Sequence, residues 1–161
     1  MYMNCATLII KNKKYSGILD MKCLKNIQYR LSKNGFNYRI DQLFDEISKS
    51  NMTVVLEFIL CSLSDDNLLY EIINTDINDL FEYMNDLLEI SLPKKKVISD
   101  EFESLELEEE KEDWDFAFME YLWHTELRRT DDFWLITPKT FNLQVEIYKK
   151  MNSKVDNIEY L

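Results

Sequence analysis

The hydrophobic pattern of the first forty residues changes from strand-like to helical. Ala6–Ile10 and Tyr15–Leu19 are rich in β-branched, aliphatic and aromatic residues, and four turn-compatible residues, Lys11–Lys14, separate them. Two such runs predict a β-hairpin. From Asp20 onward apolar residues recur at helical spacing, with Asp20 as the N-cap and Gly35 just beyond the last turn. The pattern therefore predicts a hairpin followed by a first helix.

Helical spacing of apolar residues continues from residue 40 to residue 90. Four helices are predicted after the first one. They lie over 40–47, over Thr53–Leu63, near Asp66–Ile73, and after a cap at Thr75 or Asp76. The Thr53–Leu63 segment is apolar nearly all round, which indicates a buried central helix. The inward face of the helix that follows this cap is predicted to comprise Ile77, Leu80, Phe81, Met84, Leu87 and Leu88.

An acidic segment interrupts this pattern around Pro93. Residues 91–113 contain nine acidic and four basic side chains among few apolar ones. This composition buries too little apolar surface to offset the entropy of ordering, so it predicts a linker. We therefore predict three parts: a helical body with its N-terminal hairpin over 1–90, an acidic linker over 91–113, and a helical C-terminal extension over 114–161.

The predicted extension is short and dense in aromatic residues. Asp113 is predicted to cap a helix that begins at Trp114 and has the arginine pair 128–129 in its last turn. Thr137 and Pro138 suit the N-cap and the first position of a final helix. The expected fold is mainly α: an N-terminal β-hairpin, an α-helical bundle, an acidic linker and a small C-terminal helical hairpin. The inward stripe of the final helix is predicted to be Phe141, Val145 and Tyr148.

Charge is distributed unevenly along the 161 residues, which carry a formal net charge of −11. Residues 1–39 hold eight Lys or Arg and one acidic residue, Asp20, for a net charge of +7, whereas residues 40–161 hold −18. The N-terminal part therefore presents a basic face to an acidic partner or to solvent, or it folds against the acidic remainder. The negative overall charge repels phosphate, so no nucleic-acid partner is expected.

Glycine and cysteine numbers exclude several kinds of site. The two glycines, Gly17 and Gly35, are isolated, so the sequence contains neither a Walker loop nor a dinucleotide-binding fingerprint. Three widely spaced cysteines without a C-x-x-C pair are typical of a reducing compartment. No apolar run has the length of a membrane-spanning helix. We therefore expect a soluble intracellular protein with no membrane partner.

Sequence patterns for catalysis and metal binding are weak. His124 is the only histidine, which excludes a multi-histidine metal site, and Glu120, His124 and Glu126 are the one nearby set with three candidate ligands. The acidic segments lack the glycine and the alternating ligands of a calcium-binding loop. We expect no metal, no cofactor and no enzymatic activity. A small hydrolase that uses His124 is kept as an alternative.

Two aromatic residues between predicted helices are the strongest candidates for partner binding. Phe133 and Trp134 either form the seam of the helical hairpin or anchor a partner. The segment Asp132-Phe-Trp-Leu-Ile-Thr-Pro-Lys is similar to an element in the C-terminal extension of the longer form of tail assembly chaperones of long-tailed bacteriophages. The opening Thr7-Leu-Ile-Ile-Lys-Asn-Lys-Lys-Tyr, followed by amphipathic helices, resembles the N-terminal domain of the same family.

The resemblance implies a function in virion morphogenesis. The N-terminal domain of such chaperones binds the helical tape-measure protein, and the extension recruits tail-tube proteins to it. Partner binding is then implied for Phe133, Trp134, Thr137 and Pro138. The family implies a location in the host cell cytoplasm and absence from the mature virion, and it is compatible with a homo-oligomer. In many relatives a programmed frameshift attaches the extension; Lys94–Lys96 fit an A-rich slippery run or are simply linker lysines.

The acidic composition has another interpretation. A charge of −18 over residues 40–161 is also typical of an acidic DNA mimic or of another protein-binding inhibitor. Such an inhibitor would carry carboxylates spaced like phosphates along one face. It would have no need of Phe133 and Trp134, so the two interpretations differ in whether these aromatic residues matter for function.

Overall fold

A computed structural model describes residues 4–94 and 112–158, with side chains as far as Ser153. It confirms a mainly α fold with an N-terminal hairpin. Residues 95–111, which hold most of the predicted acidic linker, lie outside the described residues. The elements are strands β1 (Ala6–Ile10) and β2 (Lys13–Gly17) and helices α1 (Met21–Lys33), α2 (Ile40–Ser48), α3 (Met52–Leu63), α4 (Leu69–Ile73), α5 (Ile77–Ser91), α6 (Phe116–His124) and α7 (Pro138–Ile158), with 3₁₀ turns at Asp66–Leu68 and Phe133–Leu135.

The hairpin has a tighter turn than predicted. β1 and β2 pair antiparallel, and Lys11 and Asn12 between them have φ values of 49° and 64°. Two consecutive residues with positive φ match the right-handed twist of the paired strands. The predicted four-residue connection is wrong by two residues, because Lys13 and Lys14 already pair with β1. Alternate residues of β1, which contacts α5, are buried: Ala6, Leu8 and Ile10.

Local capping determines where α1 begins and ends, as predicted. Asp20 Oδ1 accepts a hydrogen bond from Cys23 N at 2.8 Å, and Gly35 has a φ of +87°, which turns the chain after the helix. α3 packs against α1 and is buried over most of its surface, in agreement with its apolar sequence. Its one charged residue, Glu57, forms an ion pair with Arg30 Nε of α1 at 2.9 Å, so the charge beside the core is compensated.

A buried hydroxyl pair connects α3 to α5 beneath the hairpin. The hydroxyl oxygens of Tyr83 and Ser62 are 2.8 Å apart, and a Cβ atom on Gly17 would collide with the Tyr83 hydroxyl. Close packing therefore requires glycine at this position. The predicted inward face of α5 omits Tyr83 and includes Ile77, which is 51% exposed. The prediction fails there because tyrosine is buried when its hydroxyl has a partner, which the helical pattern does not reveal.

The C-terminal part shares one hydrophobic core with the body. Met21 N at the start of α1 donates a hydrogen bond to Ile136 O at 2.9 Å. Asp113 accepts hydrogen bonds from Ile40 N at 2.9 Å and from the Gln28 side chain. The division into 1–90, 91–113 and 114–161 stays a prediction about folding units, since both described parts supply the same core. The C-terminal members of that core are Phe116, Trp123, Phe133 and Ile136.

α6 begins later and ends earlier than predicted. Its N-cap is Asp115, whose carboxylate accepts a hydrogen bond from Phe118 N at 3.0 Å, and not Asp113. The helix ends at His124, so the arginine pair 128–129 lies beyond it, and Arg128 has a φ of 51°. Several carboxylates precede this helix, and the long-range contact of Asp113 with α2 decides which of them is free to cap it.

Because Phe133 lies in the shared core, we expect Phe133→Ala to destabilise the whole described structure. Truncation of a buried phenylalanine costs about 3–5 kcal/mol, and Phe133 is 0% exposed. Tryptophan fluorescence in a urea titration follows the C-terminal part, since all three tryptophans lie between residues 114 and 134. Alkylation of the buried Cys23 thiol follows α1 in the same titration.

The urea midpoints reported by tryptophan fluorescence and by Cys23 alkylation should shift together in the Phe133→Ala protein. Leu135→Ala, at a neighbouring side chain that is 52% exposed, serves as the matched control and should change the free energy of unfolding by about 0.5 kcal/mol or less. Two separate transitions, with only the fluorescence transition moved, would show that the C-terminal part folds independently of α1.

Alkaline pH should destabilise the fold through Tyr83. Burial raises the pKa of Tyr83 to about 12 from its ordinary value of 10.0, and the Ser62 hydrogen bond opposes this rise. Between these values the unfolded state releases the phenol proton and the folded state keeps it. The stability that Tyr83 contributes is therefore fully present below the unfolded-state pKa of 10.0 and falls as the pH rises toward the folded-state pKa of about 12. The fall is up to about 1.4 kcal/mol per pH unit for this group.

We expect Tyr83→Phe to reduce this alkaline slope and to cost about 1 kcal/mol at neutral pH through the lost hydrogen bond to Ser62. Urea unfolding at neutral and alkaline pH measures both effects. A residual slope should remain, because burial also raises the pKa values of Cys23 and Cys61. Tyr121→Phe, at an exposed tyrosine, is the control; an alkaline slope that is the same in wild type and Tyr83→Phe would contradict the expectation.

Candidate partner-binding site

The 3₁₀ turn that begins at Phe133 directs successive side chains into different environments. Asp132 Oδ1 caps it by accepting a hydrogen bond from Trp134 N at 2.9 Å. Phe133 is fully buried, Trp134 is half-buried, and Leu135 is 52% exposed. The ring centroid of Phe133 lies 5.2 Å from that of Trp134 and 6.0 Å from that of Phe141. Phe133 therefore belongs to the core, and Trp134 and Leu135 reach the surface.

Trp134 forms one wall of an open cavity between the 3₁₀ turn and α1. Its ring centroid lies 5.8 Å from that of Phe116, and Lys25 Nζ lies 4.9 Å from the Trp134 centroid. A cation–π contact of this kind contributes about 0.5–1 kcal/mol at an exposed site. The cavity has a volume of about 420 Å³ and is lined by Lys22, Lys25, Asn26, Asp132, Trp134 and Leu135.

Thr137 and Pro138 hold the turn in place from beneath the surface. Both residues are buried. Thr137 Oγ1 accepts a hydrogen bond from Thr140 N at 3.2 Å, and Pro138 is the first residue of α7, which confirms the predicted helix start. Of the four residues implied for partner binding, Trp134 alone has a side chain that reaches the surface, and the other three are buried.

The candidate site includes residues that the sequence analysis did not single out. Lys22, Lys25 and Leu135 line the cavity beside Trp134. The two lysines could have been identified from the sequence, since they lie three residues apart on the polar face of the first predicted helix. Nothing in the sequence indicates that this face lies beside residue 134. We call Lys22, Lys25, Trp134 and Leu135 together the α1–Trp134 surface.

A second exposed surface, which is apolar, lies on α4 within the predicted body. Leu69, Tyr70 and Ile73 are 43%, 72% and 59% exposed. Residues three and four apart lie on one side of a helix, so these side chains are neighbours. We call Leu69, Tyr70 and Ile73 the α4 surface.

Buried thiols are not candidates for a nucleophile in the described structure. Burial raises the pKa of Cys23 to about 12 and that of Cys61 to about 11. The Cys23 thiol donates a hydrogen bond to Cys61 O at 3.0 Å. A thiol that stays protonated at neutral pH is a poor nucleophile, so these two cysteines are structural.

The residues around His124 take part in bonds that stabilise the fold. His124 Nδ1 lies 3.0 Å from Arg129 O, and a carboxylate oxygen of Glu126 accepts a hydrogen bond from the Tyr148 hydroxyl at 2.9 Å. Within residues 4–94 and 112–158, no group of three His, Cys, Asp or Glu side chains is placed to hold a metal ion. Glu120, His124 and Glu126 are thus not assembled as a metal site there. No helix in these ranges is long and apolar enough to cross a membrane.

Comparisons with protein-family models, with curated proteins and with solved structures find no match for this chain. The α1–Trp134 surface combines positive charge with a half-buried indole, and the α4 surface is apolar.

We expect Thr137→Ala to weaken the support of Trp134 without removing its side chain. Loss of the cap at the start of α7 should cost about 1 kcal/mol in the free energy of unfolding, measured by urea titration followed by tryptophan fluorescence. Thr137→Ser keeps the hydroxyl and should recover most of this loss. Equal destabilisation by both variants would show that the buried methyl group of Thr137, and not its cap, matters.

Proposed function

We propose that this protein is a bacteriophage tail assembly chaperone that binds the tape-measure protein and recruits tail-tube subunits during virion morphogenesis. The observation that carries the proposal is the α4 surface, an exposed apolar face on the helical body. The resemblance of the Asp132–Lys139 segment to the extension of that family supplies the partners. The α4 surface supplies a physical means of holding one of them.

The α4 surface suits the apolar stripe of another helix. Helical ligands are recognised through anchor side chains three or four residues apart, which pack into an apolar surface of the receptor. Leu69, Tyr70 and Ile73 present such a surface over little more than one turn. Burial of a single large aliphatic or aromatic side chain contributes about 1.5–3 kcal/mol. Coverage of several such residues therefore contributes to the free energy of binding an aggregation-prone helix, against the cost of association.

The charge around the α4 surface favours a basic or neutral helix over an acidic one. The sequence contains no Lys or Arg between Lys49 and Lys94. Asp76 and Asp79 are exposed and follow the apolar residues in sequence, whereas Asp66 is paired with Arg30. Negative charge beside an apolar patch keeps the free protein soluble and repels other copies of the same surface. A holdase needs both properties.

Under this proposal the α1–Trp134 surface recruits tail-tube subunits. It contains the exposed part of the segment that resembles the family's extension, and α1 supplies its other half. The proposal includes a location in the host cell cytoplasm and absence from the mature virion. A programmed frameshift at Lys94–Lys96 is part of the same hypothesis; Lys95 and Lys96 lie outside the described residues, and the nucleotide sequence over these codons tests it.

We expect the double variant Tyr70→Ala/Ile73→Ala to lose tape-measure binding. These are the two most exposed residues of the α4 surface, at 72% and 59%. Loss of two anchor contacts should weaken binding about tenfold or more. The measurement is the soluble yield of a tape-measure fragment of the same phage coexpressed with the full chain, followed by the affinity of the purified complex.

The matched control is Ile9→Ala/Met151→Ala, which removes two exposed apolar side chains, each 63% exposed, from β1 and α7. Both double variants should keep the wild-type circular dichroism and melting temperature. Equal loss of binding in the two double variants would mean that general surface hydrophobicity, and not the α4 surface, holds the tape measure. Full binding by the Tyr70→Ala/Ile73→Ala protein would exclude the α4 surface as the site.

A further inference from the structure

We propose that the α1–Trp134 surface binds an acidic polypeptide segment that carries apolar side chains. The assignment of this segment to a recruited subunit rests on the proposed function. The chemistry of recognition is independent of the proposed function, because it follows from the charges, ring contacts and cavities of the described residues. The partner is therefore defined by its own pattern: carboxylates interspersed with leucine or phenylalanine.

Exposed residues of α1 form a continuous basic stripe. Lys22, Lys25, Tyr29 and Lys33 follow one another at spacings of three and four residues, which places them on one side of the helix. At 1.5 Å of rise per residue the stripe is about 16 Å long. It concentrates three positive charges on a protein whose net charge is −11. A ligand with negative charge is attracted to this stripe and repelled from most of the remaining surface.

Two of the three lysines of this stripe, Lys25 and Lys33, contact aromatic rings. Lys25 Nζ lies 4.9 Å from the ring centroid of Trp134, and Lys33 Nζ lies 4.5 Å from that of Tyr29. In the described part of the chain, the ion pairs within 4.0 Å do not involve Lys22, Lys25 or Lys33. A carboxylate of a ligand can therefore bind these ammonium groups without breaking an existing ion pair.

Two open cavities on either side of Lys25 provide places for apolar side chains. One, of about 420 Å³, has Trp134 and Leu135 in its wall, and the other, of about 400 Å³, has Tyr29 and Tyr38. Lys25 lines both cavities, so they adjoin. A segment that crosses α1 can thus place a carboxylate at Lys25 and an apolar side chain in each neighbouring cavity.

Two carboxylates at the edges of this surface limit where the ligand lies. Asp132 lines the first cavity and accepts the hydrogen bond from Trp134 N. Asp113 lines the second and accepts hydrogen bonds from Gln28 and Ile40. Both repel an acidic ligand at the two ends of the site. The favourable position for its carboxylates is therefore the middle, at Lys25, which lines both cavities.

The same surface is less suited to nucleic acid. A phosphate backbone requires several basic contacts along its length, and its attraction to a protein of net charge −11 is weak at long range. The walls of the cavities beside Lys25 combine apolar, aromatic and basic groups. These features favour a peptide, and an oligonucleotide serves as a competing ligand in the test.

The test uses the full chain and a short synthetic peptide in which glutamates alternate with leucine and phenylalanine, labelled with fluorescein. Fluorescence anisotropy measures its affinity at low and at moderate salt. A second peptide has glutamine in place of every glutamate. We expect the acidic peptide to bind, its affinity to fall as salt increases, and the glutamine peptide to bind about tenfold more weakly or worse.

Two charge-reversed proteins of equal net charge locate the site. Lys22→Glu/Lys25→Glu should weaken binding of the acidic peptide about tenfold or more, and Lys11→Glu/Lys14→Glu in the hairpin should leave it nearly unchanged. Lys25→Arg, which keeps the charge, should retain binding. Circular dichroism and thermal melting establish that each variant is folded. Trp134→Ala tests the apolar half of the site and should also weaken binding.

Three results would overturn the proposal. The first is equal loss of binding in the two charge-reversed proteins, and the second is equal affinity for the glutamate and glutamine peptides. The third is preferential binding of a single-stranded oligonucleotide of similar charge, displaced by the acidic peptide only in large excess. The assay contains neither a tape-measure protein nor a tail-tube protein. A chain that binds the peptide as expected but fails to hold a tape-measure fragment would refute the proposed function and leave this inference standing.

Discussion

Burial of the Phe133–Leu135 3₁₀ turn against the start of α1 is the contact on which the described structure depends. Ile136 O accepts a hydrogen bond from Met21 N, and Phe133 lies in the core that α1 and α3 also form. The turn is itself held between Asp132, which caps it, and Thr137, which begins α7. A segment distant in sequence from α1 is thereby fixed beside it, and the two together create a surface that neither possesses alone.

This contact separates supporting residues from exposed ones within a single short segment. Phe133 points into the core, so Trp134 and Leu135, which follow it, are turned toward α1 and solvent. Lys25 then packs over the indole ring. The orientation of Trp134 therefore follows from core packing, and variants beneath the surface change binding indirectly through its position. For such variants, a change in partner affinity must be compared with the change in the free energy of unfolding of the same protein.

Helix caps that depend on neighbouring residues were largely predicted from the sequence, whereas features that depend on one specific distant partner were not. The Asp20 cap and the start of α7 follow from local chemistry and are confirmed. The choice of Asp115 over Asp113 as the α6 cap depends on a hydrogen bond from α2. Burial of Tyr83 likewise depends on Ser62 in another helix. The candidate site was half predicted, because Trp134 stands out in the sequence whereas its α1 neighbours do not.

The two surfaces differ in charge because of how the chain distributes its residues. α1 carries lysines on its exposed face, and the stretch that includes α4 carries none between Lys49 and Lys94. The ion pair between Arg30 Nη1 and Asp66 Oδ1, at 2.6 Å, lies where these regions meet. Asp66 is solvent-exposed and Arg30 is half-buried, so solvent screens the pair and it adds little stability. A helix bound at the acidic side and an acidic segment bound at the basic side would not compete, since each is repelled from the other's surface. Under the proposed function, one chain would therefore hold its two unlike partners at once.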